Sequence, residues 1–332
     1  MTIDVHAHAL TRGFLSELAR EKAFGIEAKG DGFGFGGYGP LDPLLFDIEG
    51  AACSVAKRKI ALQLVSPPPR IVSHASWGAD RAFARRLNRQ TADFVKAAGK
   101  RHGGLAIPAL TEPEHAVAEI SRALDEDGLT GVALPTSAAG RPLDDPAFEP
   151  LFAECARRGV IVFMHPTTGV ERPAFGRYTM LQLVGWPSET ALCVARLIFA
   201  GVFERHPGLK LVLAHGGGTL AMLAGRLDLA YEAPRYEANP DCRKNISRPP
   251  SSYLTQIFYD TVVAHPTPLR YLIDLVGHEQ VMFGTDFPFE IGDPRGVKSL
   301  PTITSLPETV AADILHNNAA RIVFGKTKSS CD

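Results

Sequence analysis

Five residues far apart in the 332-residue chain could meet at one metal ion. His6 and His8 stand in IDVHAH, His165 in VIVFMHP, His215 in LKLVLAHGGG and Asp286 in QVMFGTDFP. Imidazole nitrogen and carboxylate oxygen are donors that suit a divalent transition metal. Each residue stands at the end of a short apolar run that reads as a strand. Residues two apart in a strand point to the same side, so His6 and His8 face one way. Pro166 closes the run that carries His165. Gly216, Gly217 and Gly218 follow His215 and let the backbone turn sharply and approach a ligand closely. A carboxylate such as Asp286 can act beside a metal as ligand, proton carrier or both. Taken singly, each residue has an ordinary use as a capped turn or a satisfied buried group. Their matched placement is what points to a metal site. His265, a few residues past FYD, is a further candidate. His74, His102, His115, His206, His278 and His316 lack such a context and read as helix or loop surface.

Such a set requires a frame that brings strand ends together. Strand-like runs occupy 2–6, 59–66, 103–107, 130–134, 159–164, 209–214, 255–260 and 280–284. Helical patterns lie between most of them, including 80–99 and 112–127. Eight strands alternating with helices in one chain of this length predict an α/β fold, a (β/α)8 TIM barrel. A doubly wound open sheet is the alternative. In the barrel, the strand C-terminal ends converge on one open face, where active sites sit. No internal repeat is visible, and residues 1–332 read as a single domain.

Two stretches fall outside the pattern. Residues 25–45 read as a small insertion after the first strand, a flap over the barrel mouth built on GDGFGFGGYGP at 30–40. Phe33, Phe35 and Tyr38 would otherwise be exposed apolar groups. Residues 231–252 are polar and broken by proline, which fits a long loop at the catalytic face or a subunit contact.

The composition fits a soluble globular protein, with 45% hydrophobic and 21% charged residues. The formal net charge of -1 gives no basic excess for nucleic acid or an anionic membrane. The N-terminus lacks a charged stretch followed by an apolar run, and no apolar run is long enough to span a bilayer. The five cysteines have no paired short spacing and read as free thiols of a cytoplasmic protein.

The stretches IDVHAH, FMHP, LVGWPSETALCVARLIFAGVFERHPGLKLVLAHGGG, FYDT and FGTDFPF resemble the amidohydrolase superfamily. They are most similar to its amidohydrolase-related branch, typified by aminocarboxymuconate-semialdehyde decarboxylase. The resemblance implies one divalent metal ion, usually Zn2+ and sometimes Mn2+. It implies His6, His8, His165 and Asp286 as metal ligands and His215 as catalytic acid/base. The fourth strand ends in LPT, without the lysine that would bridge two metals. The resemblance also implies a homodimer, in which Arg235 would match a substrate-binding arginine lent by the partner subunit. A second substrate arginine of the family, just before the second strand, is replaced here at Ala51 or a neighbour.

Such residues could carry a non-oxidative decarboxylation of an aromatic or muconate-type carboxylic acid. Loss of carbon dioxide leaves electrons on carbon, a metal spreads that charge, and an acid must then protonate the carbon. Arg235 or Arg226 could pair with a small-molecule carboxylate through the guanidinium fork. Arg226 could equally serve a structural ion pair. Trp186, Phe287 and Phe289 could wall a flat substrate or pack the core. The same parts could serve a hydrolase acting on a lactone, ester or carbon–carbon bond through metal-activated water, with His215 or Asp286 moving the proton. A non-catalytic metal-binding protein is the third possibility.

Overall fold

Eight parallel strands follow one another around the sheet in chain order. They are β1 (Thr2–His8), β2 (Ile60–Ser66), β3 (His102–Ala106), β4 (Gly131–Pro135), β5 (Ile161–His165), β6 (Lys210–Leu213), β7 (Phe258–Asp260) and β8 (Val281–Met282). The first and last strands also meet. Val5 N–H donates to Phe283 O at 3.0 Å, His8 N–H donates to Phe287 O at 2.7 Å, and Ala7 bridges Phe287 in parallel register. This seam closes the sheet into the expected (β/α)8 barrel. The computed structural model describes residues 2–36, 39–72, 81–138, 140–167, 175–232 and 240–325.

The strands form because their runs are apolar on both sides and must be covered on both faces, as parallel strands are. Every residue of β5 is buried. The covering helices keep one apolar face. In Pro266–Val276, Leu269, Leu272, Ile273 and Val276 are buried at spacings of three and four residues. The two helices read from the sequence at 80–99 and 112–127 appear as Arg81–Ala98 and Pro113–Asp125. Leu197 and Leu213 are wholly buried between these layers. Truncating either to alanine would cost roughly 2–5 kcal/mol, since the close-packed wall cannot refill the gap.

Two local expectations change. The seventh strand starts at Phe258 rather than 255, because Pro250–Gln256 is a 3-10 helix. Pro250 has the fixed φ that suits a first helical turn. His102 is not surface: it opens β3, is 5% exposed, and packs edge-on against Phe94 at 5.9 Å. Cys53, Cys155, Cys193 and Cys242 are free thiols; Cys331 lies outside the described residues. No helix among the described residues is long and apolar enough to cross a membrane.

The insertion after β1 is a three-stranded antiparallel sheet of Ile26–Lys29, Gly32–Phe35 and Gly39–Pro40. Phe33 and Phe35 are buried, and Phe33 meets Phe46 edge-on at 5.3 Å. Arg12 reaches from the helix Arg12–Arg20, stacking its guanidinium 4.8 Å above the Phe46 ring and donating to Asp31 O at 2.8 Å. The sheet is thus fixed to the barrel by both apolar and charge-assisted contacts. Tyr38 lies outside the described residues.

Candidate metal centre

His6 and His8 sit two residues apart on β1 and point into the barrel mouth, as the strand period requires. His165 ends β5. Asp286 follows β8 with φ +57°, and His215 follows β6 with φ +55°. Left-handed backbone is uncommon outside glycine and is tolerated where the surroundings impose it. At both residues it turns the chain out of the strand direction and aims the side chain at the barrel axis.

One donor atom from each of His6, His8, His165 and Asp286 lies within 4.8 Å of the others, and all four residues are buried. Asp286 Oδ1 stands 3.2 Å from His6 Nε2 and 3.1 Å from His8 Nε2. Two donors about 2.1 Å from one ion, at angles of 90–110°, lie about 3.0–3.4 Å apart. His6 Nε2, His8 Nε2, His165 Nε2 and Asp286 Oδ1 are buried and have no hydrogen-bond partner. Such orphaned atoms are costly unless something binds them. Three imidazole nitrogens and one carboxylate oxygen converging in this way fit a single divalent cation.

The other nitrogen of each ring is anchored. His6 Nδ1 donates to Asp260 Oδ2 at 2.6 Å, His165 Nδ1 donates to Pro166 O at 2.7 Å, and His8 Nδ1 faces Ser66 Oγ at 3.3 Å. Anchoring Nδ1 leaves Nε2 free to coordinate and fixes the ring plane. Asp260 was not singled out in the sequence, although it ends β7 as the other site residues end their strands. Its Oδ1 also accepts from Gly216 N–H at 2.8 Å and Val262 N–H at 3.0 Å. Asp260 therefore ties β7 to β1 and to the turn that carries His215. Gly284 allows this approach: a Cβ there would stand 2.9 Å from Asp260 Cβ and 3.0 Å from His6 Cβ.

Asp4 performs a similar task lower in the barrel. It accepts from His6 N–H at 3.2 Å, Gln63 Nε2 at 2.8 Å, Thr285 N–H at 3.1 Å and Thr285 Oγ1 at 2.7 Å. Asp286 N–H then donates to His6 O at 2.8 Å. The seam between β1 and β8 is where ligand-bearing segments touch directly.

The electrostatics favour a cation. Burial alone would push His6 down, but the carboxylates of Asp286 and Asp260 raise it to about 10. Burial pushes Asp286 upward, and the surrounding imidazoles, His6 first, outweigh it and hold its carboxyl well below the usual range. Burial lowers His8 and, more strongly, His165. The pocket thus keeps two rings as neutral donors and holds negative charge beside the third.

His215 stands apart from the four. Its Nε2 is 3.6 Å from Asp286 Oδ2, the oxygen that faces away from His6 and His8. Its ring lies 4.9 Å from that of His165 and stacks on Trp186 at 6.5 Å and 19°. Its side chain keeps 16% exposure, whereas His6, His8, His165 and Asp286 are buried.

A cavity of about 790 Å³ opens over this centre. His165 and Asp286 lie at its floor. Phe33, Phe35 and Phe46 form the flap side, and Trp186, Phe289 and Ile291 stand among the other walls. A smaller space of about 270 Å³ contains His215, Thr219, Val262 and Val263. Trp186, Gln182 and Asp286 border both. Gln182 and Trp186 reach the cavity from a π-helical turn, Leu181–Gly185, and the helix that follows it.

Not every sequence-read residue arrives here. Phe287, read as a substrate wall, is buried among Ala7, Ala9, Ala51, Val65 and Phe94, under the Arg58 guanidinium at 4.6 Å. The turn at Asp286 breaks strand alternation, so Phe289 rather than Phe287 faces the cavity. Ala51 shares that outer layer and lines neither cavity, so a substitution at that position does not bear on the substrate wall. His265 caps the helix Pro266–Val276 by accepting from Thr267 N–H at 3.2 Å and is exposed. Arg226 is exposed on Ala224–Glu232 and lines neither cavity. Arg235 lies outside the described residues.

The family model described as amidohydrolase matches residues 3–325. The 2-amino-3-carboxymuconate-6-semialdehyde decarboxylase of Dictyostelium discoideum is 32% identical over 262 residues, covering 78% of this chain and 72% of that one. A 6-methylsalicylic acid decarboxylase of Aspergillus aculeatus is 30% identical, covering 97% of this chain and 96% of that one. The crystal structure of 5-carboxyvanillate decarboxylase from Sphingomonas paucimobilis superposes with a TM-score of 0.78 at 25% identity, over 97% of this chain and 98% of that one. The barrel, the buried histidine–aspartate cluster and these matches agree: the chain is an enzyme of the amidohydrolase family, in its aminocarboxymuconate-semialdehyde decarboxylase-like branch.

Proposed function

We propose that the protein is a metal-dependent, non-oxidative decarboxylase of an aromatic or muconate-type carboxylic acid. The observation that carries the reading is the set of four partnerless donor atoms beside His215, at the floor of an aromatic cavity. The decarboxylases among its relatives support it.

His6, His8, His165 and Asp286 would hold one divalent cation. Their three-nitrogen, one-oxygen set suits Zn2+, with Mn2+ as the alternative. Such a cation supplies a Lewis acid whose charge offsets the negative charge that develops as carbon dioxide departs. Trp186, Phe289 and the flap phenylalanines clamp a flat conjugated substrate and exclude water, which strengthens every charge interaction at the floor. The bond between the ring or chain carbon and its carboxylate breaks, and the electron pair stays on that carbon. His215 gives its Nε2 proton to the same carbon and forms the new C–H bond. Asp286 Oδ2, 3.6 Å from that nitrogen, steadies the ring while the proton moves. Arg235 takes the role of a substrate-carboxylate partner, through its bidentate fork.

We also assign the active form as a homodimer. Leu183, Val184, Leu192, Met222 and Leu229 are all about half exposed or more, and Leu183 borders the cavity that holds His215. Exposed large apolar side chains of this kind support a subunit contact.

The deciding experiment is a panel of hydroxybenzoates, carboxymuconates and lactones, followed for carbon dioxide and for acid release. The expected result is carbon dioxide matched to substrate consumed, abolished in His215→Ala. Acid release from a lactone without carbon dioxide would overturn the decarboxylase reading in favour of a hydrolase.

A further inference from the structure

Among the described residues, His215 borders the smaller space of about 270 Å³ and not the larger cavity. The two spaces meet along Trp186 and Asp286, at the floor. The flap phenylalanines border the larger cavity alone. Pro187, Val262, Val263, Ala264 and Pro268 give the smaller space mostly apolar walls, with Gln182 and Thr219 as its polar wall residues. It runs inward from the exposed Thr219, Ala264 and Pro268 to Val262, which is 7% exposed. It is therefore a second passage between the floor and solvent, on the side of the segments that follow β6 and β7.

The turn that carries His215 shapes this passage. Gly216 and Gly218 have φ of +59° and +64°. A Cβ at Gly216 would collide with Val263 Cγ1, and one at Gly218 with the Pro187 carbonyl. The turn thus packs bare backbone against two walls of the passage, and a side chain at either position would displace them.

Decarboxylation releases a small product at the floor while the remainder of the substrate still fills the larger cavity. Carbon dioxide has no charge and no net dipole, so apolar walls cost it little. A carboxylate or bicarbonate would lose its hydration there and would meet the negative charge of Asp286. Walls of this kind pass the neutral product and hold back the ionised acid. Resting on the decarboxylase reading, we infer that carbon dioxide leaves through the passage beside His215, whereas the acid enters, and its decarboxylated remainder leaves, on the flap side.

The test narrows the mouth at two exposed positions, with Thr219→Trp and Pro268→Trp, and uses Thr219→Ser and Pro268→Ala as size controls. The enzyme is metal-loaded, and the substrate is the acid that yields most carbon dioxide in wild type. In the tryptophan variants kcat should fall about ten-fold, because exit becomes limiting. Substrate consumption should then show a burst of about one equivalent per site, since the chemistry still runs. Affinity for the decarboxylated product, measured by calorimetry, should stay unchanged, and both controls should turn over as wild type does. Wild-type kcat in both tryptophan variants, a lowered kcat without a burst, or weakened product binding would overturn the inference and leave the decarboxylase reading standing. No carbon dioxide from wild type with any acid would overturn that reading, and this inference with it.

Discussion

His6 donates its Nδ1 proton to Asp260 Oδ2 across 2.6 Å, inside a site where both residues are fully buried. The contact joins β1 to β7 and decides which nitrogen of His6 faces the other ligands. Asp260 is not itself in the donor set, so its effect on the metal acts through His6. Replacing it with asparagine keeps the shape and removes the charge. Asp260→Asn should lower metal affinity by about 10–100-fold, read by chelator competition. Unchanged affinity would mean that the tautomer of His6 is held some other way.

Gly284 tests the same contact by size rather than charge. Gly284→Ala would drive a methyl group against the Cβ atoms of both Asp260 and His6. Overpacking of this kind costs about 1–3 kcal/mol. A lowered thermal midpoint together with weakened metal binding is expected. A variant that binds metal as wild type does would show that the two strands can separate without moving the ligands.

His215 should separate chemistry from binding. Its imidazole lies outside the four-atom donor set, so His215→Asn should retain the full metal content while turnover falls by 10²-fold or more. Loss of metal in this variant would make His215 a ligand instead.

His102 gives a stability signature away from the metal centre. Burial lowers it from its ordinary 6.5 to about 4. Its folded value is the depressed one, so the neutral ring favours the fold. The contribution is complete above about pH 6.5 and is lost as pH falls from there towards 4. The full loss is about 3 kcal/mol. Urea midpoints at pH 7.5, 5.5 and 4.5 should fall more steeply for wild type than for His102→Gln. Parallel slopes would contradict this.

The barrel and the convergence of His6, His8, His165 and Asp286 were legible because parallel strands restrict where residue types suited to a metal can stand. IDVHAH and VIVFMH carry both signals at once. Asp260 carried the same signal in FYDT, but an aspartate after a strand has many ordinary uses as a turn cap, and only the 2.6 Å contact singles it out. For Phe287 the residue type allows either a substrate wall or the core, and the left-handed backbone at Asp286 is what turns it into the core. His102 was misread because glycines follow it rather than an apolar run; its burial comes from Phe94 on the helix above.

His6, His8, His165 and Asp286 should together hold one divalent ion. Elemental analysis of the purified chain, alongside His6→Ala and Asp286→Ala, tests it directly. One zinc or manganese per chain in the wild type, and near none in either variant, is the expected result. No metal in the wild type, two per chain, or full occupancy in both variants would contradict the account.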